Sequence, residues 1–273
     1  MWPRPWGGSW ITSWGALVTL GLIAGWWLAR RSARRMGVDP SHVDLLSPVM
    51  AASGLGGAVI LGMLAQMMGV DVAAGVSAHG GRVLYGAMLM AVGVGILYAE
   101  LAGIGLGRLG DLYAVSMAAA VALGRVGCYL AGCCWGKECG EEFALGVHFP
   151  PGSFAHAQEV NRGLAAVEGR SLAVYPVQLY EAGAMALLAA ALWLWMPRRK
   201  VWGEGFLAFG VGYGVIRFVL EFWRGDNPVA WHGMTTSQLI CVAVVVICAA
   251  VSVVRRKFAG RLRIRMGGEA AAR

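Results

Sequence analysis

Long apolar runs separated by short polar connections form the dominant pattern along the chain. Runs of about 17–25 apolar residues match a hydrocarbon core of roughly 30 Å when they are helical. Their uninterrupted character differs from the period-two alternation of a barrel strand. We identify seven such runs, at residues 10–29, 47–68, 83–103, 112–135, 176–196, 206–222 and 237–254. The pattern predicts an all-α, polytopic membrane protein with about seven transmembrane helices.

Composition agrees with this pattern and leaves little room for a second domain. Of the 273 residues, 58% are hydrophobic and only 14% are charged, which excludes a soluble domain because large apolar faces would be left in water. The 41 glycines are typical of closely packed membrane helices. We therefore expect residues 1–273 to form a single integral membrane domain. The first run lacks a small-residue cleavage site, so we expect it to remain as the first helix.

Positive charge is concentrated on alternate connections between the runs. The formal net charge is +8, and basic clusters follow the first, fifth and seventh runs, at residues 30–35, 198–200 and 255–265. The positive-inside rule makes these connections cytoplasmic, which predicts an outside N-terminus and a cytoplasmic C-terminus. The clusters explain the charge without a nucleic-acid partner. The basic tail either contacts anionic membrane lipids or only sets the topology. We expect a multi-pass protein of a bacterial plasma (inner) membrane.

The longest connection, residues 136–174, is expected to face outward as an extracytoplasmic head region. It carries acidic, basic and histidine side chains, and residues 155–168 predict a surface helix within it. A loop of this length is more often functional than filler. Each charge inside an apolar run also lies near the outward end of that run. We therefore expect chemistry in the outer half of the membrane.

Four charged residues lie inside or at the edges of the apolar runs, where each costs about 2.5–3.5 kcal/mol. They are Arg125, Arg217, Glu221 and Arg224. The last three have the spacing i, i+4, i+7, which predicts one face of a single helix. One interpretation is a local ion pair that snorkels to the interface. The other is an anion site, since a guanidinium matches a phosphate bidentately. In that site Glu221 holds Arg217, and Arg224 meets the ligand.

Arg125 lies in a glycine-rich stretch with Gly124, Gly127, Gly132 and Gly136. Each glycine weakens a helix by about 1 kcal/mol relative to alanine. Their density therefore predicts the close approach of another helix or of a ligand. A second basic centre strengthens the hypothesis of a phosphate site.

Four cysteines follow Arg125, and they are Cys128, Cys133, Cys134 and Cys139. No pair has the Cys-x-x-Cys spacing of a zinc or thioredoxin-like site, and the sequence assigns no metal site. Packing, a disulfide in an oxidising outer compartment, and a catalytic or metal role all remain open. A membrane thiol-disulfide protein that uses these cysteines is therefore an alternative function. Cys241 and Cys248 are predicted to be core residues.

Two further polar clusters open apolar runs on the predicted outer side. Pro176 stands near a helix start, where its missing N–H costs nothing. Gln178 and Glu181 share one helix face at i, i+3, either as an interfacial cap or as site residues. At the start of the third run, His79 or Tyr85 is a candidate base or hydrogen-bond donor.

Five segments, in this order, resemble the prolipoprotein diacylglyceryl transferase family. They are residues 80–86, 124–136, 175–181, 221–224 and 233–238. The resemblance spans most of the chain and implies a transferase that needs no cofactor. Its expected partners are phosphatidylglycerol, membrane lipids and the lipobox peptide of a preprolipoprotein. Such an enzyme moves diacylglyceryl to the lipobox cysteine thiol, forms a thioether and releases glycerol phosphate.

The resemblance also implies roles for individual residues. Arg125 and Arg224 match the family's two essential arginines and are expected to bind the headgroup phosphate. Glu221 is expected to orient them, and Gly136, which matches the family's glycine after tryptophan, to admit the substrate. The catalytic set is then Arg125, Arg224, Tyr85 and Glu221. The substrate-binding set is Arg125, Arg224, Cys128, Cys133, Gly136, Gln178, Tyr180 and Arg217.

The chain departs from the family's pattern on the side that activates the acceptor thiol. Tyr85 stands where the family has a histidine, and Tyr175 stands where a histidine opens the His-Pro-x-Gln-Leu-Tyr-Glu segment. Cys128 and Cys133 replace an asparagine and a glutamate. A phenol with a pKa near 10 is a poor base at neutral pH. Three interpretations follow: the same reaction with Tyr85 or a thiolate, a different acceptor, or lost activity. A phospholipid transporter is a further alternative, although no repeated halves are found.

Overall fold

The computed structural model describes residues 13–68, 76–166, 168–225 and 229–271, with the backbone alone at residues 13, 65–66, 76–85, 229–231 and 259–271. Its α-helices are α1 (Ser13–Met36), α2 (Pro40–Met67), α3 (Val76–Leu101), α4 (Leu106–Ala131), α5 (Phe154–Asn161), α6 (Val177–Trp195), α7 (Glu204–Leu220) and α8 (Thr236–Ala271). Short 3₁₀ turns occur at Met196–Arg198 and Glu221–Trp223. Strands β1 (Val229–Trp231) and β2 (Met234–Thr235) pair antiparallel between α7 and α8.

Five helical stretches in the described part of the chain are long and apolar enough to cross a membrane. They are Pro40–Leu64, Leu106–Ala131, Val177–Arg198, Glu204–Trp223 and Thr236–Phe258. Helix α3 adds the shorter apolar stretch Gly86–Leu101. The predicted class, a helical multi-pass membrane protein, is therefore confirmed, whereas the count of seven spans and the orientation stay predictions.

Helix α4 is the centre of the bundle. It packs against α1, α6 and α7, while α2 pairs with α3 and α7 pairs with α8. Small residues line the face of α4 in the core, where Ala114 and Ala118 are fully buried beside Met185 of α6. Small side chains allow membrane helices to approach closely. The site residues of α4 are thus held between three neighbouring helices.

Helices α2 and α3 meet at a glycine pair. A Cβ added to Gly57 would overlap the carbonyl oxygen of Gly86, and a Cβ on Gly86 would overlap that of Gly57. The neighbouring Gly56 has open space around the same position. The two backbones are therefore in contact, and neither position has room for a side chain.

Gly57→Ala is expected to force α2 and α3 apart and to lower the free energy of unfolding by about 1–3 kcal/mol. Gly56→Ala is the matched control, since its methyl group faces open space and alanine favours a helix by about 1 kcal/mol. Thermal unfolding of both variants in detergent measures the difference. Equal stabilities would contradict the glycine contact.

Asp111, near the start of α4, connects this helix to the start of α7. Its fully buried carboxylate accepts hydrogen bonds from the backbone N–H groups of Gly203 at 2.8 Å, Gly205 at 2.8 Å and Phe206 at 3.2 Å. Arg199 Nε lies 3.4 Å from the same carboxylate. Because the first N–H groups of a helix lack partners within it, Asp111 satisfies donors that burial would otherwise leave unpaired.

The three basic clusters of the sequence meet at this same end of the bundle. Arg199 contacts Asp111, and Arg256 Nε donates to Glu204 at 2.7 Å. The guanidinium of Arg35, near the end of α1, lies 3.6 Å from the ring centroid of Trp193 in α6. Clusters that are far apart in sequence therefore share one end.

The head region, which the structure describes at residues 136–166 and 168–174, is folded at the other end of the bundle. Extended segments pair where Val147 and Val174 exchange backbone hydrogen bonds of 3.0 and 3.2 Å. Phe149, which is fully buried, packs with Trp135 and Ala155 beneath these segments. The predicted surface helix is present as α5, but it ends at Asn161 and not at residue 168. The chain turns there because Gly163 adopts a φ of +72°, which a helix does not allow.

Glu159 is a buried carboxylate in the head region, and burial raises its pKa above the ordinary value of 4.5. Its Oε2 accepts the backbone N–H of Leu172 at 2.8 Å. A raised folded-state pKa means that the protonated form favours folding. The stability it contributes is complete below about pH 4.5 and is lost as the pH rises through the folded-state pKa.

Glu159→Gln should therefore lose less stability than the wild type between pH 4.5 and pH 7, because glutamine stays neutral while keeping an oxygen acceptor. Glu142→Gln, at an exposed position of the same region, is the control. Thermal unfolding at the two pH values checks this. Identical pH dependence of the unfolding temperature in all three proteins would show that ionisation of the buried Glu159 does not lower stability.

Candidate functional site

The site lies where four helix ends meet beneath the head region. These are the ends of α4 and α7 and the starts of α6 and α8. Helix α4 stops because Gly132 takes a left-handed conformation with φ +69°, and its N–H bonds back to the carbonyl oxygens of Cys128 and Tyr129. The chain then reverses toward the head region. Charged residues at these ends are thereby brought together.

Arg125 and Glu181 form an ion pair between α4 and α6. Arg125 Nε lies 2.9 Å from Glu181 Oε1, with 18% of the arginine side chain and 1% of the glutamate side chain exposed. Removing one partner of a buried pair leaves an uncompensated charge, at a cost of about 3–5 kcal/mol. The pair therefore fixes the position of the guanidinium.

A second charged group surrounds Glu221, but not as the sequence predicted. Helix α7 ends at Leu220, Glu221–Trp223 tighten into a 3₁₀ turn, and Arg224 is extended with φ −78° and ψ 138°. Arg217 and Glu221 form an i, i+4 pair as predicted, whereas the prediction that Arg224 shares their helix face is wrong. The physical reason is tertiary, because the backbone of Arg224 forms an antiparallel bridge with Gly136 of the head region.

Glu221 nevertheless holds these groups together. Its Oε2 accepts a hydrogen bond from Arg217 Nη1 and lies 3.9 Å from Arg224 Nε. Its Oε1 accepts the hydroxyl of Thr235 at 2.6 Å. Glu221 is 3% exposed. One carboxylate thus positions both arginines and joins the end of α7 to the start of α8.

Gly136 is the crossing point between the head region and the charged turn. Its N–H donates to the carbonyl oxygen of Tyr175 at 3.1 Å, and the N–H of Lys137 donates to that of Trp223 at 2.7 Å. A Cβ on Gly136 would overlap the Tyr175 oxygen and lie 2.6 Å from Val177 Cγ2. Close approach of the backbone explains this glycine, and admission of substrate stays a prediction.

Gln178 is buried beside the cysteines. Its Nε2 donates to the carbonyl oxygen of Cys133 at 2.8 Å, and its Oε1 has no partner among the described residues. A buried acceptor without a donor costs about 1–3 kcal/mol, so this oxygen can accept a hydrogen bond from a hydroxyl group of a ligand. Tyr180, also predicted for the site, is half-buried and has Cys139 and Tyr175 as electrostatic neighbours.

Three thiols meet next to the arginines. The Sγ atoms of Cys128, Cys133 and Cys134 all lie within 4.8 Å of one another, and all six cysteines are free. Cys139 is not part of this group. Cys134 has a φ of +60°, a left-handed conformation that is uncommon for a residue with a side chain. The sequence predicted a cluster of four cysteines, and the fold assembles three of them.

Cys134 interacts electrostatically with both arginine groups. The thiols of Cys128 and Cys133 are its neighbours, and the positive charges of Arg224 and Arg125 both act on it. The Cys133 thiol also donates to the carbonyl oxygen of Cys128 at 3.6 Å. The three thiols and the two guanidiniums therefore form one polar cluster.

Sequence reasoning missed several residues that the fold adds to the site. Thr235 supports Glu221, and Tyr213, which stacks on Phe209, interacts electrostatically with Glu181, Arg125 and Arg217. The signal for Tyr213 was its position one turn before Arg217. Glu181 was placed on the correct helix face, but its partner was not predicted. The backbone of Tyr85 lies in α3, and its side chain, like that of His79, falls outside the described residues.

Comparison with known proteins gives consistent similarity over nearly the whole chain. A family model described as prolipoprotein diacylglyceryl transferase matches residues 6–254. A phosphatidylglycerol–prolipoprotein diacylglyceryl transferase from Clostridium tetani is 28% identical over 240 residues, which cover 87% of this chain and 90% of the relative. The protein of the same name from Shouchella clausii is 28% identical over 243 residues, with 88% and 84% covered. The one from Roseobacter denitrificans is 31% identical over 187 residues, with 62% and 60% covered.

Proposed function

Because the chain belongs to the prolipoprotein diacylglyceryl transferase family, we propose that it transfers diacylglyceryl from phosphatidylglycerol to the cysteine thiol of a lipobox peptide. The curated relatives bear this activity in their names. The acceptor is then a preprolipoprotein, and the product is a thioether. The whole chain acts as one membrane transferase domain, with residues 136–174 as its extracytoplasmic head region.

The observation that carries the proposal is the placement of two arginines, each beside a buried carboxylate, around one cluster of polar groups. Arg125 is paired with the buried Glu181, and Arg224 lies beside the buried Glu221. Both guanidiniums act on the same neighbour, Cys134. A phosphodiester brought to this point meets cations from two different helices, and guanidinium forks suit its oxygens.

The reaction itself needs charge stabilisation at the phosphate. The lipobox thiol, once deprotonated, attacks the terminal glyceryl carbon of the diacylglyceryl group, and a carbon–sulfur bond forms. The bond from that carbon to the phosphate oxygen breaks, and its electron pair leaves with glycerol phosphate. Arg125 and Arg224 stabilise the negative charge that develops on the leaving group. Fixed charges of this kind contribute about 10²–10³-fold in rate each.

The proton of the incoming thiol needs an acceptor. Tyr85 is the proposed acceptor by its position in the family pattern, and the alternative is a thiolate at Cys134, the cysteine on which both arginines act. A proton acceptor must come within hydrogen-bond reach of the thiol. Tyr85→Phe and Cys134→Ser distinguish the two candidates, since only replacement of the true acceptor should shift the pH at which the transfer rate rises.

The same proposal places the protein in a bacterial inner membrane with seven spans. Five stretches meet the length and hydropathy of a span, and helices α1 and α3 would raise the number of spans to seven. The shared end of the basic clusters supports a cytoplasmic C-terminus, with the head region and the site on the outside. The expected partners are phosphatidylglycerol, other membrane lipids and the lipobox peptide.

A reconstituted transfer assay tests the proposal. The purified chain in phosphatidylglycerol-containing detergent receives a lipobox peptide and a non-thiol reductant, and the peptide mass is followed. Wild type should add one diacylglyceryl group, whereas Arg125→Lys and Arg224→Lys, which keep the charge but lose the planar fork, should be at least about 100-fold slower. Arg162→Lys, at an exposed position of the head region, is the matched control and should equal wild type.

Two results would count against the proposal. Wild type that is folded but yields no product would favour another acceptor or the alternative thiol-disulfide function. Product formed equally fast by the two arginine variants would show that the charged groups are structural. A peptide whose lipobox cysteine is replaced by serine should stay unmodified in every case.

A further inference from the structure

The thiols of Cys128, Cys133 and Cys134 form a compact group next to the arginines of the site. We propose that these three cysteines bind a divalent thiophilic metal ion of the zinc class, and that this ion and the lipid phosphate exclude each other. The second half of this statement rests on the proposed function. The first half stands on the arrangement of the thiols alone.

The spacing of the thiols suits a small metal ion. Their Sγ atoms lie within 4.8 Å of one another, and zinc–thiolate bonds of about 2.3 Å in tetrahedral geometry place sulfurs about 3.8 Å apart. Each thiol turns about a single Cα–Cβ bond, so a contraction of about 1 Å needs no movement of the helices. Three protein ligands leave the fourth zinc position open, as in sites that exchange a ligand.

The local backbone explains how the group forms without the Cys-x-x-Cys spacing. Cys128 belongs to the last turn of α4, and Gly132 ends the helix with its left-handed φ. Cys134 then takes a φ of +60°, which turns the chain back toward the helix end. A side-chain-bearing residue in this conformation costs about 1–2 kcal/mol. Strain of this kind concentrates at functional sites, and here it holds the third thiol in the group.

The surrounding charges favour an anionic metal complex. In the ion pairs that the structure describes at this site, three arginines, Arg125, Arg217 and Arg224, face two carboxylates, Glu181 and Glu221, and these five groups sum to one positive charge. A divalent ion bound by three thiolates carries a net charge of −1 and neutralises it. A monovalent ion in the same place would leave an excess of negative charge. Buried charges require compensation, so the divalent ion fits better.

The phosphodiester of a lipid headgroup also carries a single negative charge. It would neutralise the same excess positive charge as the metal–thiolate complex does. Occupation by one therefore removes the electrostatic attraction for the other. The metal-bound state is therefore a blocked state of the transferase.

Metal binding is tested with Cd²⁺ as an optical probe on the full chain in detergent, reduced with a phosphine. Wild type should bind one equivalent and show the ultraviolet charge-transfer band of cadmium–thiolate bonds. Cys128→Ser, Cys133→Ser and Cys134→Ser should each bind at least about 10-fold more weakly, since loss of one ligand removes a third of the bonds. Cys139→Ser and Cys241→Ser remove cysteines outside the group and should behave as wild type.

Thermal unfolding separates loss of the site from loss of the fold. The metal should raise the unfolding temperature of wild type and of Cys139→Ser, but not of the three group variants. Absence of a cadmium band in wild type overturns the metal site whatever the variants do. An equal band in the three group variants overturns it as well.

The exclusion of lipid is tested separately. Zn²⁺ should slow transfer by wild type and by Cys139→Ser, a chelator should restore the rate, and rising phosphatidylglycerol should shift the inhibition to higher metal concentration. Transfer that is insensitive to zinc, in a protein that binds cadmium, overturns the exclusion but leaves the metal site. A protein that binds cadmium and shows no transfer at all contradicts the proposed function instead.

Discussion

Glu221→Gln should lower the transfer rate by at least about 100-fold and the free energy of unfolding by about 3 kcal/mol. The carboxylate is 3% exposed and is shared by Arg217, Arg224 and the hydroxyl of Thr235. Glutamine keeps the shape but removes the charge, so two buried guanidiniums lose their common counter-ion. The phosphate-binding geometry then loosens, and small displacements of a positioned group cost about 100-fold in rate.

The double variant Arg217→Met, Glu221→Gln separates stability from positioning. Removing Arg217 takes away one of the cations that Glu221 had balanced, so unfolding temperature should recover in part. The transfer rate should not recover, because Arg224 still lacks its anchor. Glu100→Gln, at an exposed position of α3, controls for loss of a carboxylate. A rate that returns together with stability would mean that Glu221 has a structural role alone.

Helical structure was predictable because its determinants are local. Apolar length is a property of each run, and α6 and α7 begin and end within a few residues of the predicted positions. Arg224 was not predictable in the same way. Its spacing from Arg217 is compatible with a helix, and only the bridge to Gly136, from a distant part of the chain, draws it into an extended conformation. Tertiary pairing of this kind overrides local periodicity.

The candidate site also has a part that local sequence predicts and a part that depends on tertiary packing. Arg125, Arg217, Glu221 and Arg224 were identified because charges are costly within apolar runs, and that cost is visible in sequence. The pairing of Arg125 with Glu181 depends on how α4 and α6 pack, which no spacing along the chain reveals.

The three-thiol group was hidden for a different reason. Cys133 follows Cys128 at the spacing i, i+5, which in a continuous helix places the two residues on different faces. The helix ends at Gly132, and the left-handed Cys134 returns the chain to the thiol of Cys128. A glycine in sequence indicates that such a turn is allowed, but not that it occurs.

Gly136→Ala is expected to slow transfer by at least about 10-fold and to lower stability by about 1–3 kcal/mol. The added methyl group would overlap the carbonyl oxygen of Tyr175 and lie 2.6 Å from Val177 Cγ2. A backbone oxygen cannot rotate away as a flexible side chain can, so the segment that holds Gly136 must shift. Because Gly136 bridges to Arg224, that shift moves an arginine of the site.

Gly183→Ala provides the matched control for this variant. A Cβ at Gly183, within α6, meets nothing within 4 Å, and alanine favours a helix by about 1 kcal/mol over glycine. Thermal unfolding and the peptide-lipidation assay should therefore find Gly183→Ala equal to or more stable than wild type, with full activity. If Gly136→Ala matched it in both measurements, the tight crossing between the head region and Arg224 would not be what positions the arginine. A loss of rate with unchanged unfolding temperature would instead support the prediction that Gly136 admits the substrate.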